Sequence, residues 1–99
     1  MQHSVFAYGT LLLPGVQETV IGRQIEGKPD RLAGHRKSSV RDGDTSYPNI
    51  VSAEGEHVDG YILEVSQDEL ARMDMYEGGI YTRLKVTLES GMEAWVYSA

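Results

Sequence analysis

Residues 58–97 change their hydrophobic period twice, and no other feature constrains the fold of this chain as strongly. From Val58 to Val65, Tyr61, Leu63 and Val65 fall on one face, the period of a strand. Ser66 and Glu69 then form a capping-box pair, in which each side chain satisfies a free backbone donor at a helix start. Leu70, Met73 and Tyr76 follow about one turn apart, which predicts a helix with these three on its core-facing stripe. Gly78 and Gly79 end that helix. From Ile80 to Leu88 the alternation returns, with Tyr81, Arg83, Lys85 and Thr87 opposite Ile80, Leu84, Val86 and Leu88. Ser90-Gly91 reads as a hairpin turn, and residues 93–97 as the return strand.

The first half is more broken. Residues 4–8 are β-branched and aromatic and stop at Gly9, as a first strand would. Pro14 suits a first helical position, Val16, Val20 and Ile21 share a face, and Gly22 suits the position just past a helix end. Residues 31–40 predict a strand interrupted by Gly34, and Asp42-Gly43-Asp44 a turn. Tyr47-Pro48-Asn49-Ile50-Val51 predicts a bend leading into a short edge strand. The sum is an α+β fold of about six strands flanked by one or two short helices. So short a chain then favours a small mixed β-barrel or a strongly curled sheet, with residues 1–99 as a single domain.

Charge and composition exclude several functions. Nine basic residues face fifteen acidic ones, and the densest basic stretch, residues 31–41, lacks interleaved stacking aromatics, so no nucleic-acid partner is expected. Arg36, Lys37 and Arg41 read as a solvated strand face. Without cysteine there is no disulfide and no thiolate chemistry. Leu11-Leu12-Leu13 is the longest apolar run, too short to span a bilayer, and the N-terminus lacks the pattern of a signal peptide. A cytoplasmic protein without membrane association is the expectation. His3, His35 and His57 are isolated and lack ligand spacing, so neither a metal nor an organic cofactor is expected.

Two segments carry chemical meaning beyond a scaffold. In the first, Tyr8-Gly9-Thr10-Leu11, a strand turns abruptly at glycine. Such backbone can turn its N–H groups outward and hold a carboxylate or an oxyanion, although an ordinary strand-to-loop turn has the same composition. The second runs from Asp74 to Arg83 and gathers two acids, two tyrosines, two glycines and an arginine. Glu77 lies in the last helical turn, at the partly negative end of the helix dipole, which raises a carboxyl pKa and suits it to proton transfer near neutral pH. Tyr81 and Arg83 share a strand face. Tyr81 is a pocket candidate or a buried tyrosine with a satisfied hydroxyl, and Arg83 is read as a brace paired with Asp74 or Glu77. Tyr47, Pro48 and Tyr97 are candidate walls or core residues, and Trp95 a core or sheet-face residue.

Together the two segments resemble the γ-glutamylcyclotransferase-like superfamily, which includes the plant avirulence-induced-gene-like proteins and the γ-glutamylamine cyclotransferases. Tyr8-Gly9-Thr10-Leu11 looks like its first signature, and Asp74-x-Tyr76-Glu77-Gly78-x-x-Tyr81-x-Arg83 is similar to its second. Gly22-Arg23, Tyr47-Pro48 and Val58-x-Gly60-x-x-x-Glu64-Val65 fall between them in the expected order. The resemblance implies a small mixed barrel and a cofactor-independent cyclisation. The α-amine of a γ-glutamyl group attacks its own γ-carbonyl, releasing 5-oxoproline and an amine or amino acid. It puts the catalytic glutamate on Glu77 and the signature loop on Tyr8, Gly9, Thr10 and Leu11, which are the expected substrate-binding residues together with Tyr81, the pocket candidate from its strand face. The expected partner is a small γ-glutamyl compound, with the chain a monomer or weak homodimer. A non-catalytic module that keeps the pocket is the alternative, and a partner-binding β protein without a pocket is the third.

Overall fold

The computed structural model describes residues 2–99. In chain order the elements are β1 (Gln2–Ala7), a 3-10 turn (Thr10–Leu12), α1 (Pro14–Val20), β2 (Lys28–Asp42), β3 (Thr45–Ser66), α2 (Gln67–Glu77), β4 (Thr82–Thr87) and β5 (Glu93–Ser98). The strands form one sheet in the order β2-β3-β1-β5-β4. Strand β1 runs antiparallel to β3 and parallel to β5, and the outer pairs β2–β3 and β4–β5 are antiparallel.

Because β1 and β3 are central, both of their faces are buried. Val5, Ala7, Leu63 and Val65 pack beneath the helices against Val20, Ile21, Leu70 and Met73. Phe6 and Ile62 point the other way and meet Leu32, Ile50, Val58, Leu88 and Val96. No helix covers that second cluster; the sheet covers it by curling. Its two edges meet at one end, where the Glu89 N–H donates to the Arg31 carbonyl at 2.8 Å and the Ser90 hydroxyl donates to Asp30 at 2.5 Å. The result is a strongly curled half-barrel, as the sequence predicts. Gly60 permits the close approach of β3 to β1: a Cβ there would lie 2.5 Å from the Ala7 carbonyl oxygen and 2.7 Å from the Phe6 ring.

Five strands are present rather than about six. The expected bend at residues 47–51 and the strand at 58–65 belong to one strand of 22 residues. The ladder to β2 is interrupted once, where Ala33 pairs with His57 but His35 pairs with Ser52. Gly34 and Gly55 sit at this irregularity with φ of +75° and +81°, values that favour glycine. Beyond it, β2 and the first half of β3 form a two-stranded arm, which has a free edge and so tolerates Pro48.

The helices follow their local signals. Pro14 opens α1, and Gly22 follows its end at φ +90°. The Ser66–Glu69 capping box starts α2. One expectation is overturned there. Tyr76 is 47% exposed, and the buried positions of α2 are Glu69, Leu70, Met73 and Glu77. Leu70 and Met73 set the rotation of the helix, and the position one turn after Met73 is 77, not 76. Strand β4 also departs from its expected pattern. Leu84 is 50% exposed because β4 is a sheet edge and this part of its surface is uncovered.

Candidate functional site

A cavity of about 330 Å³, its open mouth included, lies at the carboxyl ends of the parallel pair β1 and β5. Five separate pieces of chain build it. The end of β1 and the following loop contribute Tyr8, Gly9, Thr10 and Leu11. Pro48 comes from the β2–β3 arm, Glu77 from the end of α2, Tyr81 from the junction before β4, and Tyr97 from β5. All six sequence-predicted site residues therefore border one space.

Glu77 is 8% exposed, and its pKa is pushed up to about 7 by burial. The direction is the one the sequence predicts. Removal from water disfavours the carboxylate, and this desolvation raises the pKa. The junction after Glu77 is tightly specified. Gly79 has φ +93°, and a Cβ on Gly78 would lie 3.1 Å from the Asp74 carbonyl oxygen. The Tyr81 N–H then donates to the Glu77 carbonyl at 3.1 Å, which brings Tyr81 back over the helix end.

The loop opposite is held from behind. Leu12 and Leu13 donate their N–H groups to the carbonyls of Gly9 and Thr10, both at 3.0 Å. The N–H groups of Thr10 and Leu11 come before this 3-10 ladder and find no acceptor among the described residues. They are the loop's open donors. Gly9 has φ −139° and ψ −135°. A Cβ there would only touch Pro48 at 3.5 Å, so glycine keeps the space between loop and arm open. Gln17, which the sequence reading missed, fixes the loop: its side chain donates to the Leu11 carbonyl at 2.8 Å and accepts from the Ile25 N–H at 2.9 Å. A polar residue on the same helix face as Val20 and Ile21 was its signal.

The three tyrosine hydroxyls of the cavity lining are all engaged. Tyr8 donates to the Tyr97 carbonyl at 2.5 Å, and Tyr81 donates to the Pro48 carbonyl. Tyr97 donates to Asp74 at 2.6 Å, and Arg83 pairs with the same carboxylate oxygen at 3.2 Å. Arg83 is thus the brace that the sequence suggested, joined to Asp74 and lying 4.2 Å from the centroid of the Trp95 ring. Tyr81 borders the pocket and has a satisfied hydroxyl, but it is only partly buried, against the reading of it as a buried tyrosine. Pro48 and Tyr97 are walls, while Tyr47 lies outside. Among the described residues, no His, Cys, Asp or Glu cluster has the arrangement of a metal site, and no helix is long and apolar enough to cross a membrane.

Five strands curled over one core, with two helices on the outer face, define the γ-glutamyl cyclotransferase fold. A solved structure described as a γ-glutamyl cyclotransferase superposes with a TM-score of 0.78 at 20% identity, covering 99% of this chain and 66% of that one. An Arabidopsis thaliana protein solved in solution reaches a TM-score of 0.83 at 29% identity, covering 99% and 62% respectively. The chain belongs to the family described as γ-glutamyl cyclotransferase, AIG2-like, whose sequence profile matches residues 5–99. Protein AIG2 C of Arabidopsis thaliana is 34% identical over 85 residues, which are 85% of this chain and 50% of that protein. The chain spans about half the length of the curated relatives it matches.

Proposed function

We propose that the cavity is a γ-glutamyl cyclotransferase site in which Glu77 moves the proton. The observation that carries this reading is a buried carboxyl, with a pKa of about 7, facing a loop with open backbone N–H groups. An α-ammonium cannot act as a nucleophile until it loses a proton. Glu77, half ionised near neutral pH, takes that proton. The freed nitrogen attacks the γ-carbonyl carbon, and a carbon–nitrogen bond closes the five-membered ring. Negative charge gathers on the γ-oxygen, where the Thr10 and Leu11 N–H groups are suited to receive it. Collapse of this intermediate breaks the bond to the departing nitrogen, which takes the proton back from Glu77; the ring nitrogen then gives its second proton to Glu77, which passes it on to the released amine and so returns to its carboxylate form. The products are 5-oxoproline and a free amine or amino acid.

Every step uses groups of the chain and the substrate alone. Ring closure is intramolecular, so holding the glutamyl chain folded between the loop and Glu77 supplies much of the acceleration. The test is 5-oxoproline release from a panel of γ-glutamyl amines, γ-glutamyl dipeptides and glutathione. Glu77→Gln is expected to abolish release while leaving the fold intact. Equal turnover by wild type and variant would overturn the proposal. Tight binding of a γ-glutamyl compound without product at any pH would instead identify a binding module.

A further inference from the structure

We propose that the hydroxyl oxygens of Tyr8 and Tyr81 form, with the Glu77 carboxylate, an all-acceptor cradle that selects the α-ammonium of a γ-glutamyl ligand. The inference rests on the γ-glutamyl reading above and adds what the two tyrosines recognise. A phenol has one proton to donate and keeps lone pairs to accept with. Both protons are already committed, that of Tyr8 to the Tyr97 carbonyl and that of Tyr81 to the Pro48 carbonyl. Toward a ligand, each hydroxyl can therefore only accept.

The protons are held firmly in that arrangement. Burial, together with the negative charge of Glu77, pushes the pKa of both phenols up, so neither ionises near neutral pH. Both tyrosines border the same cavity as Glu77. No lysine, arginine or histidine lines the cavity, so nothing there offers a charged donor. Tyr97 does not supply one either, because its hydroxyl donates to Asp74. The cavity lining thus combines three acceptor groups, those of Tyr8, Tyr81 and Glu77, with the loop whose Thr10 and Leu11 N–H groups are open. An ammonium brings the donors that the acceptors lack. A carboxylate in the same place would face lone pairs and a negative charge.

The arrangement also bears on release. In 5-oxoproline the same nitrogen is an uncharged lactam with a single N–H. Most of the acceptors that held the ammonium lose their partner once the ring has closed. The product is therefore expected to bind more weakly than a ligand that keeps the amine.

L-Glutamate and glutarate differ only by the α-ammonium, and neither carries the amide that is cleaved. Calorimetric titration of the wild-type chain is expected to show L-glutamate binding at least about tenfold more tightly than either glutarate or 5-oxoproline, the order of one charge-assisted hydrogen bond. Glu77 alone would favour the ammonium, so Tyr8→Phe and Tyr81→Phe supply the specific readout. Each is expected to reduce the glutamate-to-glutarate preference severalfold; loosening of the cavity walls would weaken both ligands together and leave that ratio in place, so the ratio reports the lost acceptor. Equal affinities in the wild type would overturn the proposal, and so would an undiminished preference in both variants. Should one variant fail to fold, the other carries the same readout and decides. The two readings fail separately. If 5-oxoproline is released but the preference is missing, the cradle is wrong; if the preference holds without turnover, the cyclisation is wrong.

Discussion

At the scale of single residues, the two buried glutamates of α2 have opposite electrostatic fates. Glu77 has a pKa of about 7 because it is buried, above the ordinary 4.5. The fold accommodates its protonated form, so its stabilising effect is complete below about pH 4.5 and is lost as pH rises through about 7. Glu77→Gln should therefore match the wild type in stability at pH 4 and exceed it at pH 8, by up to about 3 kcal/mol. Denaturant titrations at the two pH values test this, and an unchanged difference between them would refute it. In the proposed reaction, kcat/KM should rise with pH up to about 7 and then level, as a base with this pKa requires. Glu69 behaves the other way. Arg23 reaches it with two nitrogens at 2.7 and 3.0 Å and lowers its pKa to about 2. That contribution is complete above about pH 4.5 and is lost as pH falls through about 2. Because the Arg23 side chain is half exposed, Arg23→Ala should lower stability only modestly at pH 7. Comparing variant and wild type at pH 7 and near pH 2 would show the difference shrink. The sequence marked Glu77 by its motif and its helix end. Its burial depends on how α2 is turned against the sheet, and so does the exposure of Tyr76.

At the scale of elements, the site depends on two junctions. The first is the double glycine after α2. Gly79 adopts φ +93°, where an alanine Cβ meets backbone, so Gly79→Ala should cost about 1–2 kcal/mol and displace Glu77 from Tyr81. A lowered melting temperature together with lost turnover is the expected result; an unchanged melting temperature would show that the junction can rearrange. The second is the bracket behind the signature loop. Gln17→Leu leaves the Leu11 carbonyl and the Ile25 N–H without their partner, at a cost of roughly 1–3 kcal/mol, and thermal melts compared with wild type measure it. The helix boundaries were legible because the Ser66–Glu69 pair, Pro14 and the terminal glycines act within a few residues of themselves. The β2–β3 arm was not. Pro48 and the glycines at 34 and 55 read locally as breaks, yet pairing between distant residues carries two strands past them.

At the scale of the whole molecule, the cavity exists because the arm folds back across the end of the sheet. Hydrogen bonds to other parts of the chain help to hold it there. The Tyr81 hydroxyl reaches the Pro48 carbonyl, and Asn49, buried in β3, accepts from the Ala99 N–H at 3.0 Å. Replacing Asn49 with Ala should loosen the arm without melting the core. Amide exchange over residues 45–52 is then expected to quicken while residues 58–65 stay protected, and equal protection in both would show that other contacts hold the arm.

The sequence by itself determined where the helices start and stop, the α+β class, the two signature segments and the membership in a family built on them. Each of these is written in the spacing of near neighbours, in periods of two or about four and in caps and turns. Only the tertiary structure decided that five strands curl rather than lie open, and that Glu77 rather than Tyr76 turns inward. It also decided that every tyrosine proton in the pocket is already given to an acceptor. These outcomes depend on groups as far apart in the chain as Tyr8 and Tyr97, and their positions are set jointly by the packing of both sheet faces.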